Sequence, residues 1–427
     1  MRCSVRSACH SLSIVIGFVA TLVFATTLQA AAHHKVLYRF TDGTDGAYPN
    51  FLTLDNAGNI YGTAQYGGDL NCSDGYPNSG CGVVFQLVPS GGGKWQQRVL
   101  YAFHGGTDGI QPAGNLLFDS SGNLYGATFG GGTNTTCNQP PGCGTIFELS
   151  PNGDGSWAET VLYNFQNGSD GRAPVGLIFD SSGNLFGVSG YSHGIIFELS
   201  PPQQKGGAWT ETTLYTTQQY TWISSNLVLK QKGNLYGSWF PNFCCGGVFE
   251  LKYVDNNWLE TNLYNFQGGG NGGEPLSGIV FDSKGRMYGT GTSGGNNWGV
   301  AFELKRSGGQ WIESMLYNFC SFNNCADGAW PNGPLVFDQA GNLYGTTQVG
   351  GAVCSDDSDG CGIVFKLTPT TSGEWRETIL YNFKGGFDGY SPYDGVILDG
   401  KGHIYGTTSI GGTKSGHGYG TVFALAP

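Results

Sequence analysis

Hydrophobic positions along this chain come in short runs, broken every few residues by Gly, Asn, Asp or Pro. The stretch from 116 to 165 shows the pattern. Leu116-Leu117-Phe118 is an uninterrupted apolar run that ends in the turn Asp119-Ser120-Ser121-Gly122-Asn123. Leu124-Tyr125-Gly126-Ala127-Thr128 follows. An irregular loop then leads to Gly144-Thr145-Ile146-Phe147-Glu148-Leu149, and a Gly-rich turn leads to Trp157 through Phe165. Runs this short, rich in β-branched and aromatic residues and bounded by turn formers, predict strands joined by hairpins. After residue 32 no stretch has the spacing of an amphipathic helix.

The same four segments recur. Their marker is a Gly-Asn-Leu-Tyr-Gly-like phrase at Gly58, Gly122, Gly183, Gly233, Gly285, Gly341 and Gly402, seven copies spaced 50 to 64 residues apart. Seven units of four antiparallel strands predict an all-β, seven-bladed propeller. The first strand of each unit lacks polar alternation (Leu177-Ile178-Phe179, Ile279-Val280-Phe281, Leu335-Val336-Phe337), which suits an innermost strand covered on both faces. The last alternates and carries charge, as in Trp375-Arg376-Glu377-Thr378, and is the expected outer edge.

The two ends of the repeat fit ring closure. Lys35 to Phe40 matches a fourth strand and Gly420 to Leu425 a third, so the N-terminal segment is expected to complete the last blade and leave no open edge. Trp95, Trp157, Trp209, Trp258, Trp311 and Trp375 each open a fourth strand and read as packing residues; the interrupted blade lacks a seventh.

Residues 1–32 have a different character. Arg2 and Arg6 precede an apolar run from Ile14 to Phe24, and Ala30 and Ala32 form an A-x-A end. This reads as a signal peptide, with residues 33–427 as the propeller. A membrane anchor is the alternative, but a spanning helix needs about 20 apolar residues. With 12% charged and 14% aromatic residues the remainder is folded rather than disordered. Without the leader the formal charge moves from −11 to −13, as 18 basic residues face 31 acidic. No basic stripe exists to track a phosphate backbone, so nucleic acid is excluded as a partner and no membrane span remains. The expectation is a monomer that is secreted, extracellular or periplasmic.

Three phrases carry a family resemblance: Gly341 to Thr347 (Gly-Asn-Leu-Tyr-Gly-Thr-Thr), Gly420 to Phe423 (Gly-Thr-Val-Phe), and Leu380 to Gly389, a Leu-Tyr-Asn-Phe followed by an Asp-Gly loop. They resemble the GloVer repeat, found in tandem in secreted or surface proteins of bacteria, over about Val36 to Pro427. The resemblance implies fold and compartment, and no catalytic residues. Sorting anchors that often follow such repeats are not evident, which favours release. The fourth unit departs most: Lys230 replaces the turn Asp, and Thr216-Thr217 replaces Asn-Phe.

In a four-stranded blade the second-to-third loop and the loop into the next blade share one face. Variation concentrates there. Ten cysteines lie in it as close pairs: Cys72/Cys81, Cys137/Cys143, Cys320/Cys325, Cys354/Cys361 and Cys244/Cys245. An even count in a secreted chain predicts disulfides; the adjacent pair would be strained, and two free thiols are its alternative. Metal binding is the alternative for the set, but no zinc-like spacing supports it. Irregular aromatics share the face: Phe129, Tyr191, Trp239, Trp298, Trp330 and Tyr393 are the candidate ligand-binding rings, against a role in packing the loops. Asp-Gly pairs at Asp45, Asp108, Asp170, Asp327 and Asp388 read as turn chemistry, with a carboxylate ring for cations as the alternative. Asp357 and Asp359, pinched by Cys354/Cys361, are weak calcium candidates without the closing Glu of an EF-hand; no other cofactor is expected.

Three functions fit. A binding module for carbohydrate or protein follows from the aromatic, disulfide-shaped face. A hydrolase or lyase acting on glycans or lactones would need acid–base groups near the axis; His104, His193 and His417 are the candidates, with Asp108, Asp170 or Asp388 as partners. A structural surface protein is the third. The binding module is favoured, since the innermost strands carry no charge and no nucleophile motif is present.

Overall fold

The computed structural model describes residues 33–426 apart from 73–78, 139–140, 191–192, 205, 219–220, 225, 231–232, 242–244, 355–356 and 415–417. Residues 1–32, the leader expectation among them, therefore lie outside the described residues. The described chain forms seven antiparallel sheets in sequence order, and none of its residues is in an α-helix. Blade 1, for example, is Ala47–Leu54, Ile60–Tyr66, Val83–Pro89 and Trp95–Ala102, paired in that order. Blade 4 is irregular as its sequence foretold. Its inner strand is two pieces, Thr221–Ile223 and Val228–Leu229, both paired with Leu235–Pro241.

Closure occurs in the seventh blade. His33–Arg39 pairs antiparallel with Thr421–Ala426, from His33 opposite Ala426 to Arg39 opposite Thr421. The edge of the last blade is thereby covered by the first strand.

The repeat phrase has a packing cause. Within each blade the second Gly of the phrase lies opposite a Phe of the third strand: Gly62 and Phe85, Gly126 and Phe147, through Gly406 and Phe423. At Gly345 a Cβ would stand 2.6 Å from the Phe365 ring, so a side chain there would evict the Phe. That buried Phe meets a second one from the end of the preceding blade's outer strand. Six such pairs form, Phe40–Phe85, Phe103–Phe147, Phe165–Phe197, Phe266–Phe302, Phe319–Phe365 and Phe383–Phe423, with centroids 4.8–5.2 Å apart. They are tilted or edge-to-face, the geometry favoured by ring quadrupoles. The core is thus a ring of aromatic contacts between blades.

Inner turns share another device. In six blades an Asp (Asp55, Asp119, Asp180, Asp282, Asp338, Asp399) accepts the backbone N–H groups two and four residues on, and its second oxygen accepts from the side chain at the later position. This is Asx-turn chemistry. Blade 4 has Lys230 instead, and its ammonium sits 4.0 Å over the Phe281 ring.

Candidate functional site

The two loop classes meet on one face. Gly68 N–H donates to Gly43 O, Gly132 to Gly106, Gly351 to Cys325 and Gly412 to Gly386, each joining a second-to-third loop to the loop that leads into its blade. The inner strands then start from a repeated device. Tyr48, Gln111, Ala173, Glu274, Trp330 and Ser391 have φ between 50° and 58°, and each is followed by a proline. Such backbone is uncommon for residues with a side chain and persists only where neighbours fix it. Here the fixing contact is a hydrogen bond from each of these N–H groups to the preceding blade: to the carbonyls of Tyr419, Cys81, Cys143, Cys245, Trp298 and Cys361 respectively.

The residue supplying that carbonyl differs around the ring. It is a cysteine at four junctions, and an aromatic at two others, Trp298 and Tyr419. Where it is a cysteine, the residue above it is Gln111, Ala173, Glu274 or Ser391. Where it is aromatic, an aromatic lies above it. Trp330 stacks on Trp298 with centroids 5.7 Å apart and planes 28° from parallel. Tyr48 packs edge-on against Tyr419 and Tyr66. At the remaining junction Trp222 lies against Phe240 at 6.2 Å. Tyr48, Trp222 and Trp330 are 36%, 37% and 37% exposed, large values for aromatic side chains.

From these positions the inner strands descend to the axis, where a cavity of about 210 Å³ lies among five blades. Phe51, Ser224, Asn226, Asn332, Tyr393 and Asp394 line it. Asp394 is 6% exposed; Thr407 Oγ1 lies 3.5 Å from its Oδ2. Burial pushes its carboxyl up to about 7, against smaller opposing effects from Thr407 and the Phe51 N–H. The cavity therefore has a mixed lining, with Phe51, Phe240 and Tyr393 beside serine and asparagine side chains, and it holds a buried acid whose ionisation burial disfavours.

A sequence model of the Gloeobacter/Verrucomicrobia repeat matches residues 71–239 and 241–423. The chain belongs to this GloVer family. No curated protein matches the sequence. Among solved structures, this GloVer propeller is similar to a PL25 ulvan lyase, described as a new family of polysaccharide lyase, bound to -[GlcA(1-4)Rha3S]-. Identity is 9%, coverage 89% of this chain and 90% of that one, and the TM-score 0.50. It is also similar to the Dos1 propeller (8% identity, 92% and 95% coverage, TM-score 0.49) and to an α-L-arabinanase of Penicillium chrysogenum complexed with arabinobiose (11%, 73% and 92%, 0.43). At such identities the likeness is one of fold.

Four of the expected disulfides are present in the GloVer chain: Cys72–Cys81, Cys137–Cys143, Cys320–Cys325 and Cys354–Cys361. Cys244 lies outside the described residues, as do Tyr191 and His417. Of the candidate rings, Trp298 and Trp330 come together on the loop face and Tyr393 lines the axial cavity. Phe129 and Trp239 are not loop residues. They lie in the second strands Leu124–Gly130 and Leu235–Pro241. Trp239 borders a cleft of about 280 Å³ with Tyr215, Thr217 and Phe249, at the one junction where Thr217 stands in place of the inter-blade Phe. Its ring packs against the buried cluster that contains Phe249.

His104 and His193 lie in loops of different blades. His104 Nδ1 lies 2.7 Å from Asp69 Oδ2, while Asp108 accepts the His104 backbone N–H and the Tyr101 hydroxyl. His193 lines a different cleft, of about 420 Å³, whose described lining has no carboxylate. The Asp357 carboxylate accepts the Asp359 N–H and so caps its own turn; among the described residues no three acidic, His or Cys groups converge as metal ligands.

The inter-blade aspartates serve the blades. Asp45, Asp108, Asp170, Asp327 and Asp388 each accept the hydroxyl of an outer-strand tyrosine (Tyr38, Tyr101, Tyr163, Tyr317, Tyr381) at 2.9–3.1 Å, together with a backbone N–H of their own loop. Burial and the facing carboxylate hold these tyrosines un-ionised. Turn chemistry thus accounts for the Asp-Gly repeat. Sequence reasoning missed what faces it. Four residues before each tyrosine the outer strands carry His34, Gln97, Glu159, Glu211, Glu260, Glu313 and Glu377. Burial first, and the neighbouring Asp108 or Asp327 second, push Glu159 and Glu377 up to about 7. His34, stacked 3.8 Å from Tyr381 and 3.3 Å from Asp388, is driven by burial down to about 4.

Proposed function

We propose that this chain is a secreted carbohydrate-binding propeller whose ligand sits on the loop face at the mouth of the axial cavity. The observation that carries this reading is the Trp298–Trp330 pair. Trp330 sits on strained backbone with over a third of its surface exposed, two residues from Asn332 in the cavity wall. Flat rings stack on the C–H faces of sugars, and the adjacent amides, hydroxyls and carboxyl suit sugar hydroxyls. The four disulfides fit an oxidising compartment, and among the described residues no helix is long and apolar enough to cross a membrane.

The purified domain is expected to bind on a glycan array. Trp298→Ala and Trp330→Ala should weaken that binding roughly thirtyfold, as loss of a hot-spot ring does, with little change in melting temperature. Unfolding of both variants without selective loss of binding would make these rings packing residues. A protein ligand is the outcome if glycans fail and an extracellular protein binds through the same rings.

A hydrolase or lyase is the second reading, and Asp394 favours it. A buried carboxyl with a pKa near 7 is suited to proton donation. Turnover of a glycan that is abolished in Asp394→Asn with binding retained would decide for it.

A further inference from the structure

Aromatic and cysteine junctions are not scattered around the ring. Counting blades from Ala47, cysteines supply the clasp carbonyl between blades 1 and 2, 2 and 3, 4 and 5, and 6 and 7. The aromatic sets fall at the start of blade 4 (Trp222, with its cross-strand neighbour Phe240), between blades 5 and 6 (Trp298, Trp330), and between blades 7 and 1 (Tyr48, Tyr419, Tyr66). These are every second junction along one arc. The axial cavity is walled by that same arc: its described lining comes from blades 4 to 7 and blade 1, with none from blades 2 and 3. Each platform leads into the cavity by a few residues, from Trp330 to Asn332, from Tyr48 to Phe51, and from Trp222 to Ser224.

Packing alone does not require this coincidence. A junction can be clasped through a cysteine carbonyl with a small or polar residue above it, and four are. The other three instead hold a ring with over a third of its surface in water on the strained backbone position or its blade-4 counterpart.

We infer that the arc is a track for a neutral polysaccharide chain, with three stacking subsites around the axial well, rather than a pocket for one sugar. This rests on the carbohydrate-binding reading and specifies its ligand. A chain is indicated because the platforms lie on alternate blades, beyond the span of one ring. Neutrality follows from charge. Asp42 accepts a hydrogen bond from Tyr419 in the platform between blades 7 and 1, Asp394 lies in the well, and the whole chain has a formal charge of −11. A uronate or sulfated polymer would meet like charge at Asp42, and at Asp394 whenever that carboxyl is ionised.

The test uses neutral β-glucan, mannan and xylan oligosaccharides from disaccharide to octasaccharide, with oligogalacturonate as the anionic comparator, by calorimetry on the intact domain. Affinity for one neutral series should climb with length and then level off. Trp222→Ala, Trp330→Ala and Tyr48→Ala should each cost the long chains about tenfold, the share of a partly exposed stacking ring, and leave the disaccharide affinity far less changed. Hydrogen exchange on the unmutated protein gives a readout free of folding defects. A bound octasaccharide should protect amides near Trp222, Trp330 and Tyr48 together. Binding that is independent of length, protection confined to one junction, or preference for oligogalacturonate would overturn the track while leaving a carbohydrate site standing. Absence of binding to every glycan would instead remove the reading on which it rests.

Discussion

The junction between blades 3 and 4 differs from the other six, although the same repeat builds both. At a regular junction such as that between blades 5 and 6, Phe319 meets Phe365 at 4.9 Å and Tyr317 donates to Asp327. Between blades 3 and 4, Thr217 replaces the phenylalanine, the inner strand of blade 4 is in two pieces, and a cleft remains beside Phe249. Trp239 borders that cleft from a strand position that holds Ala64, Thr128, Ser189, Gly291, Thr347 and Thr408 in the other blades. The comparison teaches that the aromatic pair is the fastening between blades, and that an aromatic out of step with the repeat can be a repair rather than a ligand contact.

The largest effect is expected where a whole junction is removed. Deleting His33 to Phe40 strips the outer strand from the last blade and takes Phe40 from Phe85. The variant should lose its cooperative melting transition and aggregate, and moving the segment behind Pro427 through a linker should restore both. An unchanged melting curve in the deletion would mean that closure contributes nothing.

Next come single fastenings. Phe319→Ala should lower stability by about 3–5 kcal/mol, the range for a buried phenylalanine, measured by denaturant unfolding. Trp239→Ala should cost about half as much, because its ring is only partly buried and its cleft is already open. Adding Thr217→Phe to Trp239→Ala should recover stability by rebuilding the standard pair. If Trp239→Ala proves costlier than Phe319→Ala, the ranking of the two junction types is wrong.

The smallest effect concerns pH, and its sign differs between junctions. Glu377 and Glu159 have folded pKa values raised to about 7 from 4.5, so the folded state binds the extra proton and stability is lost as pH rises through that window. His34 is lowered to about 4 from 6.5, so the unfolded state binds the extra proton and stability is lost as pH falls through that window. Glu377→Gln should therefore raise stability by about 1 kcal/mol at pH 8, after allowance for solvent screening, and leave it unchanged at pH 4.5. His34→Gln should help only below pH 6. Equal gains for Glu377→Gln at both pH values would show that packing, not ionisation, sets the effect.

The fold was legible because every unit repeats its turn signals and its Gly–Phe partners in order, so register and closure could be read from phrase matching alone. The four local disulfides were legible for a related reason, since each closes within one loop. The site was less so. Trp330 was found as a ring that does not recur, but Trp222 and Tyr48 were passed over. Their shared trait is a place in the chain relative to the inner strand, and at Tyr48 and Trp330 a left-handed backbone before proline, which composition does not announce. Aligning the units on those prolines would have exposed it. Trp239 misled because the loop boundary was set by its neighbours' chemistry rather than by strand register. Asp394 carries no motif at all; its significance comes from the blades that converge on it.

Ring closure also orders events in time. The strand that finishes the seventh blade begins at His33, and its partner ends at Ala426. Hairpins of the first six blades need only nearby chain and can form as they emerge from the ribosome. The seventh must wait for a contact spanning nearly the whole domain, and such distant pairings are slow. Until then the outer edge of the last blade is unpaired, and the nascent chain carries an open strand able to recruit another molecule.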